Sequence, residues 1–471
     1  MRSQMTRVLF VGLLCGGIAF ACGCSKKQRL MPAGSPVTAY IHFEYAVYLM
    51  PAHARDPDAI LHRALSGPFS KLKLVSDLPS EPHEMTVRGH TEKNPQTEYP
   101  PPSVDSLQYS GHGLSVKEMN DLQKTREAFI LDFAHPKESV WVALHDANEL
   151  VEEIARETGG LVWDEETREV YSPDAWHKRR IGDWKEGIPN ISTQTVIHLY
   201  ENGEFLRAIS LGMTKAGLPD VAVEELPEAD GNRVVSLINL FTQSMVEGRT
   251  FKQNGDFKLD LRAIQNADLR EPQIKTLEPN ETGIACLTLR EGQHEEGDPR
   301  NRIIELTFDR YAGNDKHAKQ DAALNWLFGW EDAVRNNVEH TDELLEESRK
   351  EKSKLPQLHK DFDAGLPPGE YILVKAPFDT PDGGREWMWV EIRKWKQHAI
   401  TGVLQNQPDK IPNLHSGQIV EVQEENVFDY IRHYPDGHQD GNTTGDLIRT
   451  MGEKEEEFKP GTKLPPPKCA E

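Results

Sequence analysis

The stretch EYILVKAPFDTPDGGREWMWVEIRKWKQHAITGVLQNQP, residues 370–408, constrains this chain more than any other. Tyr371 to Val374 is a short apolar run suited to a strand. Asp379-Thr-Pro-Asp-Gly-Gly384 follows as dense turn chemistry, with proline fixing φ and two glycines open to positive φ. From Glu386 the pattern has a period of two. Met388, Val390 and Ile392 point one way, and Trp387, Trp389, Glu391, Arg393 and Trp395 the other. A helical period would scatter both sets, so the stretch is a β-hairpin. Ala399 to Leu404 is a further strand, stopped by Gln405-Asn-Gln-Pro408, and Ile419 to Val422 another. Glu424 to Ile431 is expected to form a short helix with Val427, Phe428 and Ile431 inward.

The preceding chain mixes helices and hairpins. Tyr40 to Met50 alternates as a half-buried strand, with His42 and Glu44 opposite its apolar face. Asp56-Pro57 opens a helix as N-cap and N1. Ser115-Val-Lys-Glu118 is a capping box. Pro136 starts a helix that runs to Thr158 and closes on Gly159-Gly160. Asn202-Gly203 between β-rich runs predicts a hairpin, as does the pair 161–163 and 169–171. Ala318 to Val334 is a helix, and His340 to Phe362 a solvated one. The boundary between two α+β regions is placed at Gly313-Asn314-Asp315.

Tyr371-Ile-Leu-Val-Lys375, Glu386-Trp-Met-Trp-Val390, Thr401-Gly-Val-Leu-Gln-Asn406 with Pro408, Gly417-Gln-Ile-Val-Glu-Val422, Asp429-Tyr430 and Asp436-Gly437 fall in one order. In that order they resemble the YegJ-like family of bacterial proteins, a domain of unknown function (2314). The resemblance spans residues 315–450. It implies a small α+β domain and no activity. Gly159-Gly-Leu-Val-Trp-Asp164, Tyr171-Ser-Pro-Asp-Ala-Trp176, Gly212-Met213 and Gly217-Leu-Pro-Asp220 are similar, more loosely, to segments found upstream of such domains.

Arg2 and Arg7 precede an apolar run, Val8 to Ala21, that ends in Cys22-Gly-Cys24-Ser-Lys-Lys27. This reads as a lipoprotein export signal, with Cys24 the lipidated residue and Cys22 its rival. An ordinary cleaved signal and an uncleaved anchor are the alternatives. Ser25 after Cys24 favours the outer over the inner membrane. Lys26 to Pro36 reads as a tether. Losing Arg2 and Arg7 would take the net charge from −22 to −24. That balance argues against nucleic acid and against an anionic lipid face, and suits a basic partner or simple solubility. Membrane association is then through the lipid alone. Cys286 lies in an apolar strand and is expected as a small buried hydrophobe; Cys469 lies in a Pro-rich tail. A disulfide between them stays open, weighed against a tail that looks unpacked.

Two constellations are candidate sites. Trp387, Trp389 and Trp395, with Gln405 and Asn406 at the adjoining turn, would form an aromatic platform, Trp387 and Trp389 lying about 6.6 Å apart on one strand face. The competing reading is a strand buried on both sides beneath the 318–334 helix. His433, Asp436, His438 and Asp440 offer His and carboxylate ligands for a divalent ion, although Leu447 stands where a calcium loop needs Glu. Turns in an exposed hairpin, at Pro435-Asp-Gly437 and Asp440-Gly-Asn442, are the simpler explanation of them. No G-x-S-x-G, S-x-x-K, H-E-x-x-H or phosphate-binding glycine loop occurs, and no motif calls for a cofactor.

The expected molecule is therefore an α+β envelope lipoprotein with mainly antiparallel sheets. It comprises a signal (1–24), a tether (25–37), an N-terminal region (38–312), a YegJ-like domain (313–452) and a disordered tail (453–471). Its expected role is non-enzymatic binding of a periplasmic peptide, glycan or protein. A metal-dependent hydrolase using the His433 cluster, and an immunity-type protein against a basic toxin, are the alternatives.

Overall fold

Three sheets organise the described residues. The computed structural model describes residues 6–7, 29–50, 55–329, 342–447 and Cys469, with interruptions at 185, 203–204, 228–229, 253–254, 276, 278–281, 314, 368–369, 382, 407, 409, 413, 435–438 and 446. The lipidation candidates Cys22 and Cys24 lie outside the described residues, as does the tail apart from Cys469. The class is α+β with mostly antiparallel pairing.

The first sheet is built on β1 (Tyr40–Leu49), β2 (Thr86–Lys93), β3 (Glu127–Pro136), β4 (Leu161–Asp164) and β5 (Glu169–Tyr171). Its order is β2-β3-β1-β4-β5, with two-residue strands at both edges. Alternation sends Phe43, Tyr45, Val47, Phe129, Leu131 and Phe133 to one face. There they meet α1 (Pro57–Leu65), capped by the Asp56 side chain, and α2 (Val140–Thr158), which ends on Gly159 at φ 69°.

The second sheet contains β6 (Val196–Asn202), β7 (Phe205–Leu211), β8 (Asp220–Leu226), β9 (Asp256–Asp260), β10 (Ile284–Glu291) and β11 (Ile303–Thr307), in the order β6-β7-β8-β11-β10-β9. The β6–β7 hairpin pairs Asn202 with Phe205, and the two residues between them lie outside the described residues. One face is buried under α3 (Gly231–Val246). Helix α4 (Lys316–Phe328) adds Ala323, Leu324, Trp326 and Leu327 to this same core and packs on β10. It was expected to begin the C-terminal domain; its apolar side belongs instead with the preceding one. The tether reading also needs correction over residues 29–36. Met31 is buried in this core, donating its N–H to the Leu289 carbonyl, and Gly34 exchanges backbone hydrogen bonds with Phe251. A single anchored methionine among Pro, Gly and Ser leaves no periodic trace.

Cys286, on the opposite face of β10 from Ala285 and Leu287, is bonded to Cys469 with a Cα–Cα separation of 5.3 Å. The pairing left open in the sequence, and weighed against an unpacked tail, is thereby made. Tail composition says nothing about where one of its residues is fastened.

The third sheet follows α5 (Asp342–Lys352) and α6 (Leu355–Asp363). Its strands are β12 (Tyr371–Asp379), β13 (Arg385–Lys396), β14 (Ala399–Leu404), β15 (Ile419–Gln423), β16 (Asp429–His433) and β17 (Gln439–Gly441). They run β15-β14-β13-β12-β16-β17, each pair antiparallel. The helix expected over 424–431 is only a 3-10 turn at Glu424–Asn426. Residues 429–433 pair along β12 instead, with Leu373 opposite Ile431. An available sheet edge outweighs the weak helical spacing of Val427, Phe428 and Ile431.

Candidate functional site

The central strand β13 has two differently used faces. Met388, Val390 and Ile392 join Ile372, Val374, Ile400 and Leu404 over Leu355 and Leu358 of α6. Register with β14 then shifts between Ile392 and Lys394. One extra residue in one strand reverses its alternation. Trp395 therefore turns into the core, stacks on His359 at 4.6 Å, and donates its indole N–H to Glu424 at 3.1 Å. It does not share a face with Trp387 and Trp389, as the uninterrupted period had implied. Gly402 lies opposite Ile392 at this bulge. A Cβ there would stand 2.2 Å from the Glu391 carbonyl oxygen, so only glycine lets the strands approach.

Trp387 and Trp389 occupy the other face. Trp389 is directly opposite Lys375, and the Lys375 ammonium sits 5.5 Å from its ring centroid, a cation–π arrangement. Trp389 is 8% exposed. Trp387 is half-buried and lies against Phe428, centroids 4.7 Å apart. The two-ring platform thus reduces to one accessible indole, Trp387, beside a buried Trp389–Lys375 pair. Glu391 continues the face, with Arg393 at 3.2 Å and the Gln405 amide at 3.4 Å. Helix α4 packs on β10, so it is not what buries Trp389.

Gln405 and Asn406 fasten β13. The Gln405 N–H donates to the Trp389 carbonyl at 2.8 Å, and the Asn406 Oδ1 accepts the Trp389 N–H at 2.6 Å. Asn406 is buried and holds the strand, whereas Gln405 keeps a half-buried side chain on the Trp face.

The expected metal cluster does not assemble from its described members. His433 stacks on Tyr371 at 4.3 Å, on the face of Leu373 and Ile431, with the Gln439 amide 2.9 Å from its Nδ1. Asp440 pairs in register with Arg432 and accepts the Tyr430 hydroxyl at 3.1 Å, on the opposite face. The strand pleat separates the two. Asp436 and His438 lie outside the described residues.

Two polar groupings went unread in the sequence. Arg88, Asp132 and Glu44 form one row across β2, β3 and β1. Arg88 donates from Nε and contacts the same Asp132 oxygen through Nη2, both at 2.8 Å, and the Tyr99 hydroxyl donates to Glu44 at 3.2 Å. Burial, then the adjacent Asp132 charge, pushes the Glu44 carboxyl up to about 8. The row places the raised Glu44 carboxyl beside the Arg88–Asp132 ion pair. Glu44 at an odd phase of the β1 alternation was the available signal. The second grouping is fully buried. Asp164 accepts from Arg180 at 2.7 Å and from Lys215 at 2.6 Å. Lys215 comes from the turn after β7 and lies 5.6 Å from the Tyr45 ring, so it reaches from the second sheet into the core of the first. Burial lowers its ammonium to about 8 against the pull of Asp164. Arg180 also reaches Thr167, Glu169 and Tyr171, and Glu169 is held down to about 2 against burial by His112 and Arg180.

With this geometry in view, the C-terminal sheet can be compared with known proteins. Residues 357–461 match the family described as an uncharacterized protein conserved in bacteria (DUF2314). The match begins inside α6 and takes in the whole third sheet. The DUF2314 segment therefore starts after α4, in keeping with the packing of that helix on the second sheet. The chain matches no curated protein and no solved structure.

Proposed function

We propose that the protein is a lipid-anchored bacterial envelope protein whose DUF2314 segment binds a peptide, glycan or protein partner through the Trp387 face, without catalysis. The observation that carries this reading is Trp387 itself. It is an indole left half-accessible against Phe428, beside the Lys375–Trp389 pair and the Glu391–Arg393–Gln405 strip. An apolar ring flanked by positive, negative and amide groups suits a ligand with both an apolar surface and hydrogen-bonding edges. Export is supported by the leader and by the Cys286–Cys469 bond, since such bonds persist in oxidising compartments. The hydrolase alternative loses support because His433 and Asp440 face apart.

The test is cross-linking in intact cells expressing the chain with its own leader, followed by capture and mass spectrometry, in wild type and Trp387→Ala. A partner captured by wild type and lost from a folded Trp387→Ala variant supports the reading. Equal capture by both would rule out this face.

A further inference from the structure

On α2, His145, Asp146 and Glu149 present one imidazole and two carboxylates at spacing i, i+1, i+4. One ligand atom from each lies within 4.8 Å of the others. The three are half-buried. Tetrahedral zinc, with bonds of about 2.0–2.2 Å to such ligands, needs them only slightly closer, a movement within reach of side-chain torsions.

The rest of the outer surface of α2 shows what is unusual here. Glu152 is paired with Arg156 at 2.6 Å and His177 at 3.0 Å. Glu153 is paired with Arg63 at 2.8 Å, and Glu157 with Arg55 at 2.5 Å and also with Arg63. One turn earlier the pattern stops. Among the described residues, the Asp146 side chain makes no hydrogen bond or ion pair, and the sole ion-pair contact of His145 and Glu149 is with each other, at 3.5 Å. The Asp146 oxygens keep solvent access, and the Lys71 charge acts on them only through space. The His145 ring is held edge-on against Trp184 at 5.0 Å, and Trp184 is anchored by its indole N–H on the Gly187 carbonyl. The imidazole is therefore pre-oriented on a long helix by contacts that leave its nitrogens available.

We infer that His145, Asp146 and Glu149 bind a divalent first-row metal ion, zinc foremost. The mixed imidazole–carboxylate set favours zinc over calcium or magnesium, which take oxygen ligands. Three protein ligands fall short of the four of a structural zinc site, so a water or a ligand group completes the shell. This site is independent of the Trp387 face.

Calorimetric titration of the full chain with Zn2+ alone tests it, comparing wild type with the triple variant His145→Ala/Asp146→Asn/Glu149→Gln. Losing even an outer partner of a metal ligand weakens binding about 10–100-fold. The triple variant is thus expected to lose the tightest saturable site, and His145→Gln alone to weaken it at least about tenfold. Co2+ should quench the Trp184 emission, and Trp184→Phe should remove that quench while keeping the zinc heat. His145→Gln carries the comparison if the triple variant loses its native circular dichroism. Equal zinc affinity in wild type and variants, or no saturable zinc binding by wild type, would overturn the inference.

Discussion

The Trp389 backbone N–H is held by the Asn406 side chain at 2.6 Å, beyond the last regular pair of β13 with β14. The Asn side chain thus stands in for a strand residue and sets where the Trp face ends. Asn406→Ala leaves that N–H buried without an acceptor, at a cost of about 1–3 kcal/mol. Urea unfolding of the variant should show the loss, and Gln405→Ala, which keeps its backbone donor, should show much less.

Gly402→Ala places a methyl against the Glu391 carbonyl, where nothing flexible can yield. Overpacking of this kind costs about 1–3 kcal/mol. Gly67→Ala is the control, because its nearest neighbour would be 3.6 Å away. Thermal melts should separate the two; equal melting temperatures would show that the bulge is not as tight as drawn.

Asp164→Asn should be among the most damaging single changes. It leaves the buried Arg180 and Lys215 without their shared carboxylate, and breaking a buried pair costs about 3–5 kcal/mol. Lys215→Met should cost less, because Asp164 keeps Arg180. Chemical denaturation of both variants tests the order.

Glu44 makes stability depend on pH in a defined direction. Its carboxyl is raised from 4.5 to about 8 by burial and by Asp132, so between those values the folded chain binds more protons than the unfolded one. Its contribution is complete below the unfolded value and is lost as pH rises through the folded one. Melting temperature should therefore fall from pH 5 to pH 8 more steeply in wild type than in Glu44→Gln. A parallel fall in both would discard the assignment.

Cys469→Ser opens a loop of 183 residues. In the chain-entropy account a closure of that size is worth about 5 kcal/mol. Reduction of wild type should shift the unfolding midpoint as the substitution does. An unchanged midpoint in both would mean that the bond adds nothing to the stability of the fold.

What was readable in the sequence was local. The Asp56 cap, the Ser115–Glu118 capping box, the Gly159 stop and the pairing of β6 with β7 are each decided by neighbouring residues, and each is present. The faces of β13 were readable up to Ile392. Beyond it the bulge inserts a residue that a period of two cannot register, and Gly402 in the next strand was the one hint of it. Asp164 and Lys215 are 51 positions apart, and Glu44 and Asp132 pair across strands. Such partners are chosen by topology. The His145 group sits at a spacing open to inspection, but what distinguishes it is that, among the described residues, no Arg or Lys closes an ion pair on it, Lys71 acting on Asp146 only through space, and that is a three-dimensional fact.

The Cys286–Cys469 bond also orders events in time. Synthesis runs from the N-terminus, so Cys286 is made 183 residues before its partner, and the entire DUF2314 segment is made in between. Throughout that interval the thiol on β10 waits. A chain arrested before residue 469 would carry at Cys286 a free thiol that the finished molecule holds in a disulfide, so a thiol-reactive label mapped to Cys286 distinguishes incomplete copies from complete ones.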